Sequence, residues 1–165
     1  MTTVPFEHLL ASHAERVHRA ALGLLGDEQE AREAAQESLL KAFRARARYD
    51  QRRPFYPWLY RIVRNTCFDA IDRRRHRARP GLDDQRVAAL APTQLDRMEQ
   101  REAQQRVRRG MKRLSPPQRE ILAMRHFQDL TYAEIAELLD LPMGTVMSRL
   151  YRARRALVRS LEETG

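Results

Sequence analysis

The chain has 165 residues, and its 31 lysines and arginines against 22 aspartates and glutamates give a formal net charge of +9. This surplus favours a polyanionic partner, a nucleic acid first and an anionic membrane surface second, while the longest apolar run, residues 20–26, is too short for the ~20 residues of a membrane span. We expect no membrane insertion and no signal peptide before Phe6, and since a single cysteine cannot form an internal disulfide, we expect a cytoplasmic protein.

The first half of the chain has the pattern of three helices. Apolar residues at helical spacing predict a first helix that ends at Gly26, a residue suited to a left-handed cap. A second helix is predicted over about 28–46. A third begins near Phe55 and ends near Arg75, with Pro54 and Pro57 close to its start. The apolar residues of the first helix are Phe6, Leu9, Leu10, Val17, Ala21 and Leu24.

Aromatic rings alternate with arginines between Tyr49 and Arg75. A ring offers a stacking surface to an unpaired base, and arginine follows the phosphate backbone, so this segment can bind a single strand. Helical spacing places Trp58 and Phe68 in the core. The remaining rings of interest are predicted to lie on a polar, proline-containing loop, where they could capture bases. They are Tyr49, Phe55 and Tyr56.

The composition changes after the third predicted helix. Residues 78–97 contain two prolines and a glycine and lack a sustained helical period until their end, which predicts a linker. We therefore divide the chain into a first domain at 1–77, a linker at 78–97 and a second domain at 98–165. No segment shows the alternation of a strand. The predicted fold class is all-α, with two small helical domains joined by a flexible linker.

Two capping boxes mark helix starts in the second half. Ser115 and Gln118 surround two prolines and predict a helix that runs to about Phe127. Thr131 and Glu134 form a second box and predict a helix over 132–139. The two helices of residues 130–157 are thus separated by a tight turn.

That turn and the helix after it have the pattern of a helix-turn-helix. Asp140 occupies the position where a positive φ is often needed, and Pro142 suits the first turn of the next helix. A buried stripe is predicted at Val146, Leu150, Ala153 and Leu157. The residues outside the stripe form a surface with four arginines on a rod that fits the ~12 Å major groove. They are Thr145, Met147, Ser148, Arg149, Tyr151, Arg152, Arg154 and Arg155.

Metal and redox sites are disfavoured. His8, His13 and His18 are spaced by five residues, and each ring is therefore rotated about 140° from the last on a helix, so no two share a face. Cys67 is predicted to be a small buried residue, because no second thiol is present. We expect no metal and no cofactor.

An enzyme is also disfavoured. Asp69 and Asp72 are expected to form ion pairs with nearby arginines of the same helix rather than a nuclease site. Those arginines are Arg61, Arg64, Arg73 and Arg75. A second acidic pair, Asp83 and Asp84, lies in the predicted linker, and no glycine-rich phosphate loop or nucleophile motif is present.

Nearly the whole chain resembles bacterial sigma factors of the extracytoplasmic-function (ECF) type, in the sigma-70 family. DEQEAREAAQESLLKAF and YPWLYRIVRNTCFDAIDRRRH are similar to region two of that family. LSPPQREILAMRHFQDLTYAEIAELLDLPMGTVMSRLYRARRAL is similar to region four. The resemblance implies a dissociable subunit of RNA polymerase that recognises promoters and initiates transcription of a stress or envelope regulon.

The resemblance also implies roles for the helix-turn-helix. Region four of the family recognises the minus-35 element as a duplex, which places Ser148, Tyr151 and Arg152 at bases. The residues implied to lie mainly at phosphates are Thr145, Arg149, Arg154 and Arg155. Met147 stands where the family often has a basic residue, and we expect it to make an apolar contact, for example with a thymine methyl.

Region two of the family opens and recognises the minus-10 element. The resemblance places its specificity loop on 49–56, with a flipped base held in a loop pocket. The implied contact residues of the loop are Tyr49, Arg52, Arg53, Phe55 and Tyr56, followed on the next helix by Arg61, Asn65, Asp69 and Arg73.

The implied partners are promoter DNA, the two largest subunits of core RNA polymerase and an anti-sigma factor. Docking against a coiled coil of the largest subunit is implied for Glu33, Gln36, Glu37 and Leu40. Region four would bind the flap of the other large subunit, and the linker would thread toward the RNA exit channel. The chain departs from the family at Arg32, which replaces one of an acidic pair, and at Asp140, which replaces the usual turn glycine.

A stand-alone regulator that binds operators as a dimer through the same helix-turn-helix is the main alternative. Such a protein needs a sensing or dimerising domain, and the first half offers neither a sheet pattern nor a long heptad seam. Dependence of promoter binding on core polymerase separates the two hypotheses.

Overall fold

A computed structural model describes residues 4–77 and 95–163, with the side chains of 95–97 excepted. Within these ranges the chain is helical, with no strand. The helices are α1 (Phe6–Leu25), α2 (Glu28–Arg44), α3 (Phe55–Arg77), α4 (Leu95–Arg113), α5 (Pro116–His126), α6 (Tyr132–Leu139) and α7 (Met143–Glu162), with a short 3-10 turn at Arg46–Arg48. The all-α prediction is confirmed.

The ends of α1 and α2 are set by local chemistry. Gly26 follows α1 with φ of 69°, and its N–H donates to the carbonyl of Leu22 at 2.8 Å. Glycine adopts this left-handed conformation without steric cost. Asp27 then caps α2, because its side chain accepts a hydrogen bond from the Glu30 N–H at 2.9 Å. The predicted turn at Gly26 is therefore confirmed.

Helices α1, α2 and α3 form the first bundle, and small residues line its centre. Helices approach closely where side chains are short, which allows α1 and α2 to pack along much of their length. The buried small residues of this contact are Ala20, Ala21, Ala31, Ala34 and Ala35. Cys67 of α3 is fully buried in the same bundle, and burial raises the pKa of its thiol to about 12.

The second bundle consists of α4 to α7. Helix α4 begins at Leu95, so the last three residues of the predicted linker are helical, while the rest of that linker lies outside the described residues. Asp83 and Asp84 also lie outside them. Helix α7 packs against α4, α5 and α6 and forms the centre of this bundle.

The two bundles are in direct contact in this structure. Helix α5 packs against α1 and contributes Ile121, Leu122 and Met124 to an apolar core that continues into the first bundle. This contact was not part of the prediction of two domains on a tether. It brings the predicted DNA-binding helices α3 and α7 to the same side of the molecule, where Arg61 and Arg149 line one cleft.

Candidate nucleic-acid interface

The turn between α6 and α7 has helix-turn-helix geometry. The hydroxyl of Thr131 accepts from the Glu134 N–H at 3.2 Å, and the Glu134 carboxylate accepts from the Thr131 N–H at 2.7 Å, which confirms the capping box. These hydrogen bonds lower the pKa of Glu134. Asp140 follows α6 with φ of 52°, as predicted, and Pro142 is the N-cap of α7.

Helix α7 separates a buried face from an exposed one. Val146, Leu150 and Ala153 are fully buried, and Leu157 is half-buried, so the predicted stripe is confirmed. Thr145 on the other side is half-buried. The other residues predicted to face DNA are exposed, namely Met147, Ser148, Arg149, Tyr151, Arg152, Arg154 and Arg155.

The exposed face of α7 carries four arginines that form no salt bridge with any described residue. They are Arg149, Arg152, Arg154 and Arg155. The pKa of His126 is lowered by partial burial and then by Arg154 and Arg125. Four exposed guanidinium groups that need not leave a carboxylate to reach a phosphate suit a duplex-binding helix.

An apolar line crosses this basic face. Met143, Met147 and Tyr151 are separated by four residues each and are 46%, 54% and 60% exposed. Residues four apart lie on one side of a helix. The exposed surface of α7 therefore combines charge with apolar atoms at its centre.

Helix α3 has an exposed polar line that matches the prediction for the first half. Arg61, Asn65, Asp69 and Arg73 are all exposed and recur every four residues. Arg73 lies near Glu37 of α2, with a nitrogen-to-oxygen distance of 3.9 Å. The line follows the length of α3 and is open to solvent.

Phe55 and Tyr56 do not lie on a loop, so that prediction is wrong. They form the first turn of α3 and are only 7% and 5% exposed. The helix can include Pro57 because the third position needs no intrahelical N–H donor. Arg52 and Arg53 lie just before the helix and are exposed, as predicted.

The rings near the start of α3 pack on one another. Tyr49 is half-buried, its ring centroid is 5.2 Å from those of Phe55 and Trp58, and Phe6 of α1 lies 5.5 Å from Phe55. Edge contacts at these distances are favourable for aromatic pairs. The rings predicted to capture bases thus stabilise the contact of this segment with α1.

Trp58 and Phe68 are half-buried, whereas the sequence predicted them in the core. The buried line of α3 instead runs through Leu59, Val63, Cys67 and Ile71. Phe68 lies at the margin of that line, with the guanidinium of Arg64 4.5 Å from its ring centroid.

The predicted polymerase-docking residues share one side of α2. Glu33, Gln36 and Leu40 are exposed, and Glu37 is half-buried. Lys41 donates to Glu37 across 2.8 Å, and this hydrogen bond lowers the pKa of the carboxyl group. Leu40 is 57% exposed, which is a large apolar exposure for a leucine on an otherwise charged helix.

Comparison with known proteins identifies the family. The model of sigma-70 region 2 matches residues 9–77, and that of sigma-70 region 4 matches residues 104–157. The chain belongs to the ECF sigma factors. It is 30% identical to the RNA polymerase sigma-H factor of Pseudomonas aeruginosa, over 95% of this chain and 86% of that protein. It is 33% identical to the ECF sigma factor SigM of Mycobacterium tuberculosis, over 94% of this chain and 76% of that protein.

Two solved structures share the fold of this sigma factor. RpoE in complex with the anti-sigma factor NepR, from Bartonella quintana, has a TM-score of 0.66 and 23% identity, with coverage of 95% of this chain and 96% of that one. CnrH in complex with the cytosolic domain of CnrY has a TM-score of 0.65 and 24% identity, with coverage of 97% and 89%. We call residues 4–77 the region-two half and residues 95–163 the region-four half.

The histidines of the sigma factor do not form a metal site. His18 lies 3.1 Å from Glu28, and His13 contacts the Leu9 carbonyl at 2.8 Å, while His8 is exposed. In the described parts of the chain, no three potential ligands cluster around a common point. Nor does any described helix have the length and hydropathy to cross a membrane.

The predicted ion pairs of Asp69 and Asp72 are not formed. No salt bridge between described residues involves either carboxylate. Two of the nearby arginines lie against acidic residues on other helices instead. Arg64 binds Glu120 and Arg73 lies near Glu37, because both partners face α3 from the neighbouring helices.

Sequence reasoning missed the polar residues that join the two halves. Glu120 is 2% exposed and accepts hydrogen bonds from the Tyr60 hydroxyl at 3.0 Å and from Arg64 at 2.5 Å. Burial, and then Glu120, raises the pKa of Tyr60 well above its usual value. Arg119 is 3% exposed and donates to the carbonyl of Leu24 at 2.9 Å. Two charged residues directly after a capping box gave no signal of burial.

Proposed function

We propose that this sigma factor binds core RNA polymerase, directs it to promoters by recognising a minus-35 duplex and a melted minus-10 strand, and initiates transcription of a stress or envelope regulon. The observation that carries the proposal is the exposed face of α7, which follows a capped helix and a left-handed turn. Its four arginines form no salt bridge with another described residue. Membership of the family supports it, because the family acts in transcription initiation and not as a catalyst.

For the minus-35 element, α7 lies in the major groove. Ser148, Tyr151 and Arg152 are at base edges, where arginine donates two hydrogen bonds to guanine. Contacts to phosphate come from Thr145, Arg149, Arg154 and Arg155. Met147 projects from the centre of the face, and the thymine methyl is the apolar group that the major groove offers it.

The thymine contact can be tested by removing the methyl alone. Deoxyuridine in place of thymine at a minus-35 position should weaken binding by about fourfold, the value of one buried methyl group of ~0.8 kcal/mol. Met147→Ala should bind the thymine and uracil duplexes equally. Equal discrimination by the variant and the native protein contradicts the assignment of Met147.

For the minus-10 element, the exposed line of Arg61, Asn65, Asp69 and Arg73 contacts the melted strand. Arg52 and Arg53 approach its phosphates from the segment before α3. The rings of Tyr49, Phe55 and Tyr56 can reach a flipped base only if their packing against α1 changes, because Phe55 and Tyr56 are buried. Unstacking a base costs a few kcal/mol, which contacts in the pocket must offset.

Core polymerase binds the region-two half through Glu33, Gln36, Glu37 and Leu40. Three carboxylate and amide groups surround one exposed leucine, an arrangement typical of a polar rim around an apolar anchor. The region-four half binds the flap of the second large subunit. An anti-sigma factor covers these surfaces in the inactive state, a proposal supported by the NepR and CnrY complexes of the two structural neighbours.

Run-off transcription of fragmented genomic DNA by purified core polymerase tests the function. We expect new discrete starts that share two spaced upstream elements. Arg152→Ala should reduce them at least about fivefold, because one guanine contact of ~1–3 kcal/mol is lost. Arg159→Ala, which removes an exposed arginine later in the same helix, should not reduce them. Tight duplex binding without polymerase, and no new starts, would favour the dimeric regulator.

A further inference from the structure

Of the four glycines that the structure describes, three have a reason within the fold. Gly26 has a positive φ of 69°, and a Cβ atom at Gly23 or Gly110 would lie 2.7 or 3.0 Å from a neighbouring side chain. Gly144, in the first turn of α7, has neither feature, because its φ is not positive and nothing lies within 4 Å of the position of a Cβ. Glycine is less favourable in a helix than any residue except proline. The fold itself therefore does not account for a glycine at this position.

Gly144 lies at the start of the line of α7 that carries the proposed base contacts. Residues four apart share one side of a helix, so Gly144, Ser148 and Arg152 form a single exposed line. It runs beside the apolar line that begins at Met143. The recognition helix of a helix-turn-helix places its N-terminal residues against base edges in the major groove. The first turn of α7 is thus the part of the helix where a missing side chain allows the closest approach to DNA.

Met143 is the apolar side chain beside Gly144. It is the first residue of α7 and is 46% exposed, so much of its side chain is open to a partner. A helix rises about 1.5 Å per residue, which separates Met143 from Met147 by about 6 Å along the axis. Base pairs are stacked about 3.4 Å apart, so the two methionines of a helix that follows the groove reach different base pairs. The thymine methyl is the apolar group that the major groove offers to each of them.

We propose that Met143 and Gly144 extend the base-contacting surface of α7 by one turn. Because Gly144 has no side chain, the edge of a base pair approaches the helix backbone, and this approach brings Met143 against the methyl of a second thymine, beyond the one assigned to Met147. Met143 is then a specificity-determining residue, and Gly144 is a positioning residue. The proposal rests on the proposed function for the identity of the minus-35 element, whereas the contacts themselves require only that α7 binds duplex DNA.

Selection from a pool of random DNA duplexes tests the proposal without transcription. The full chain, alone and in complex with core polymerase, is incubated with the pool, and the enriched sequence is determined. Each thymine of the enriched duplex is then replaced by deoxyuridine, which removes only the methyl. We expect two thymines at which this replacement weakens binding, each by about fourfold, the value of one methyl group. Met143→Ala should lose the discrimination at one of them, and Met147→Ala should lose it at the other.

Substitutions of Gly144 test the close approach. Gly144→Leu should weaken binding of the enriched duplex by at least about fourfold and should lose the same discrimination as Met143→Ala, because its side chain holds the base pair away from the first turn. Ala103→Leu adds the same side chain at an exposed position of α4, and this matched control should bind as the native chain does. Gly144→Ala should weaken binding less, and in urea unfolding it should be at least as stable as the native chain, since alanine is the better helix former and no contact is disturbed.

Three results would overturn the proposal. Met143→Ala could retain the discrimination of the native chain at every thymine, Gly144→Leu could bind the enriched duplex as tightly as the native chain, or neither the chain nor its complex with polymerase could enrich any sequence. Failure of the proposed function is a separate result. An enriched duplex with both thymines, but no new starts in the run-off assay, would refute the sigma-factor function and leave the contacts of Met143 and Gly144 intact.

Discussion

Arg119 is the residue whose replacement should destabilise the chain most, and the reason is its set of partners. Its guanidinium donates to four backbone carbonyls, those of Leu24 at 2.9 Å, Met111 at 2.9 Å, Lys112 at 2.7 Å and Leu114 at 3.3 Å. The carbonyls belong to the ends of α1 and α4, where helices leave acceptors unsatisfied. Burial lowers the pKa of Arg119 to about 10. This value is still well above neutral pH, so the guanidinium remains cationic.

The magnitude follows from these contacts. Arg119→Met preserves much of the apolar stem but removes all four donors. A hydrogen bond to a charged group contributes roughly 1.5–3 kcal/mol, and three of the four distances are short. The variant also avoids the cost of burying a guanidinium. The lost hydrogen bonds outweigh the avoided cost of burial, and we expect the free energy of unfolding to fall by about 3–5 kcal/mol. This loss is a large fraction of the ~5–15 kcal/mol of a typical domain.

Urea unfolding followed by circular dichroism measures this loss. With a slope of ~2 kcal/mol per molar urea, the midpoint should fall by about 1.5–2.5 M. Arg52→Met removes a guanidinium whose side chain is 93% exposed and should change the free energy by less than about 0.5 kcal/mol. If Arg119→Met and Arg52→Met have the same midpoint, the hydrogen bonds of Arg119 do not stabilise the fold.

Substitutions at three further positions test single features. Cys67 should make stability fall with alkaline pH: its pKa rises from 9.0 to about 12 on folding, so its contribution is complete below pH 9 and is lost as pH rises toward 12. In urea titrations between pH 8 and about 10.5, the free energy of unfolding of Cys67→Ala should therefore fall by about 2 kcal/mol less than that of the native chain. Thr131→Ala should cost about 1 kcal/mol in thermal or urea unfolding, and no loss would contradict the capping role. Asp140→Gly should leave the free energy of unfolding nearly unchanged, whereas Asp140→Val should lower it by about 1–2 kcal/mol, because φ at this position is 52°. Equal effects of the two substitutions would refute the strain argument.

Features that depend on neighbouring residues were predictable from the sequence. The capping boxes at Ser115 and Thr131, the turn at Gly26 and the positive φ of Asp140 each involve residues within four positions, and all are confirmed. The buried stripe of α7 follows from helical periodicity alone. These signals determine where helices begin and end and which side of α7 faces outward.

Features that depend on distant residues were not predictable. Tyr56 is buried because Gln128, 72 residues later, lies against it, and Arg16 of α1 covers its ring at 3.5 Å. Arg64 binds Glu120 rather than an aspartate of its own helix, because α5 brings that carboxylate within 2.5 Å. Periodicity assigns a residue to a face of its helix, but it contains no information about which helix covers that face.

The pairing of arginines distinguishes the two surfaces that we propose for nucleic acids. On α3, Arg64, Arg73 and Arg74 each lie near a glutamate of α5 or α2, so much of their charge is compensated within the fold. On α7, the arginines of the exposed face have no such partners among the described residues, and they can neutralise phosphates at no cost in broken ion pairs. Each phosphate neutralised on a duplex steepens the slope of the logarithm of the binding constant against the logarithm of salt concentration by about 0.9. Affinity for duplex DNA should therefore arise mainly from the region-four half, because its arginines need not leave an acidic partner to reach a phosphate.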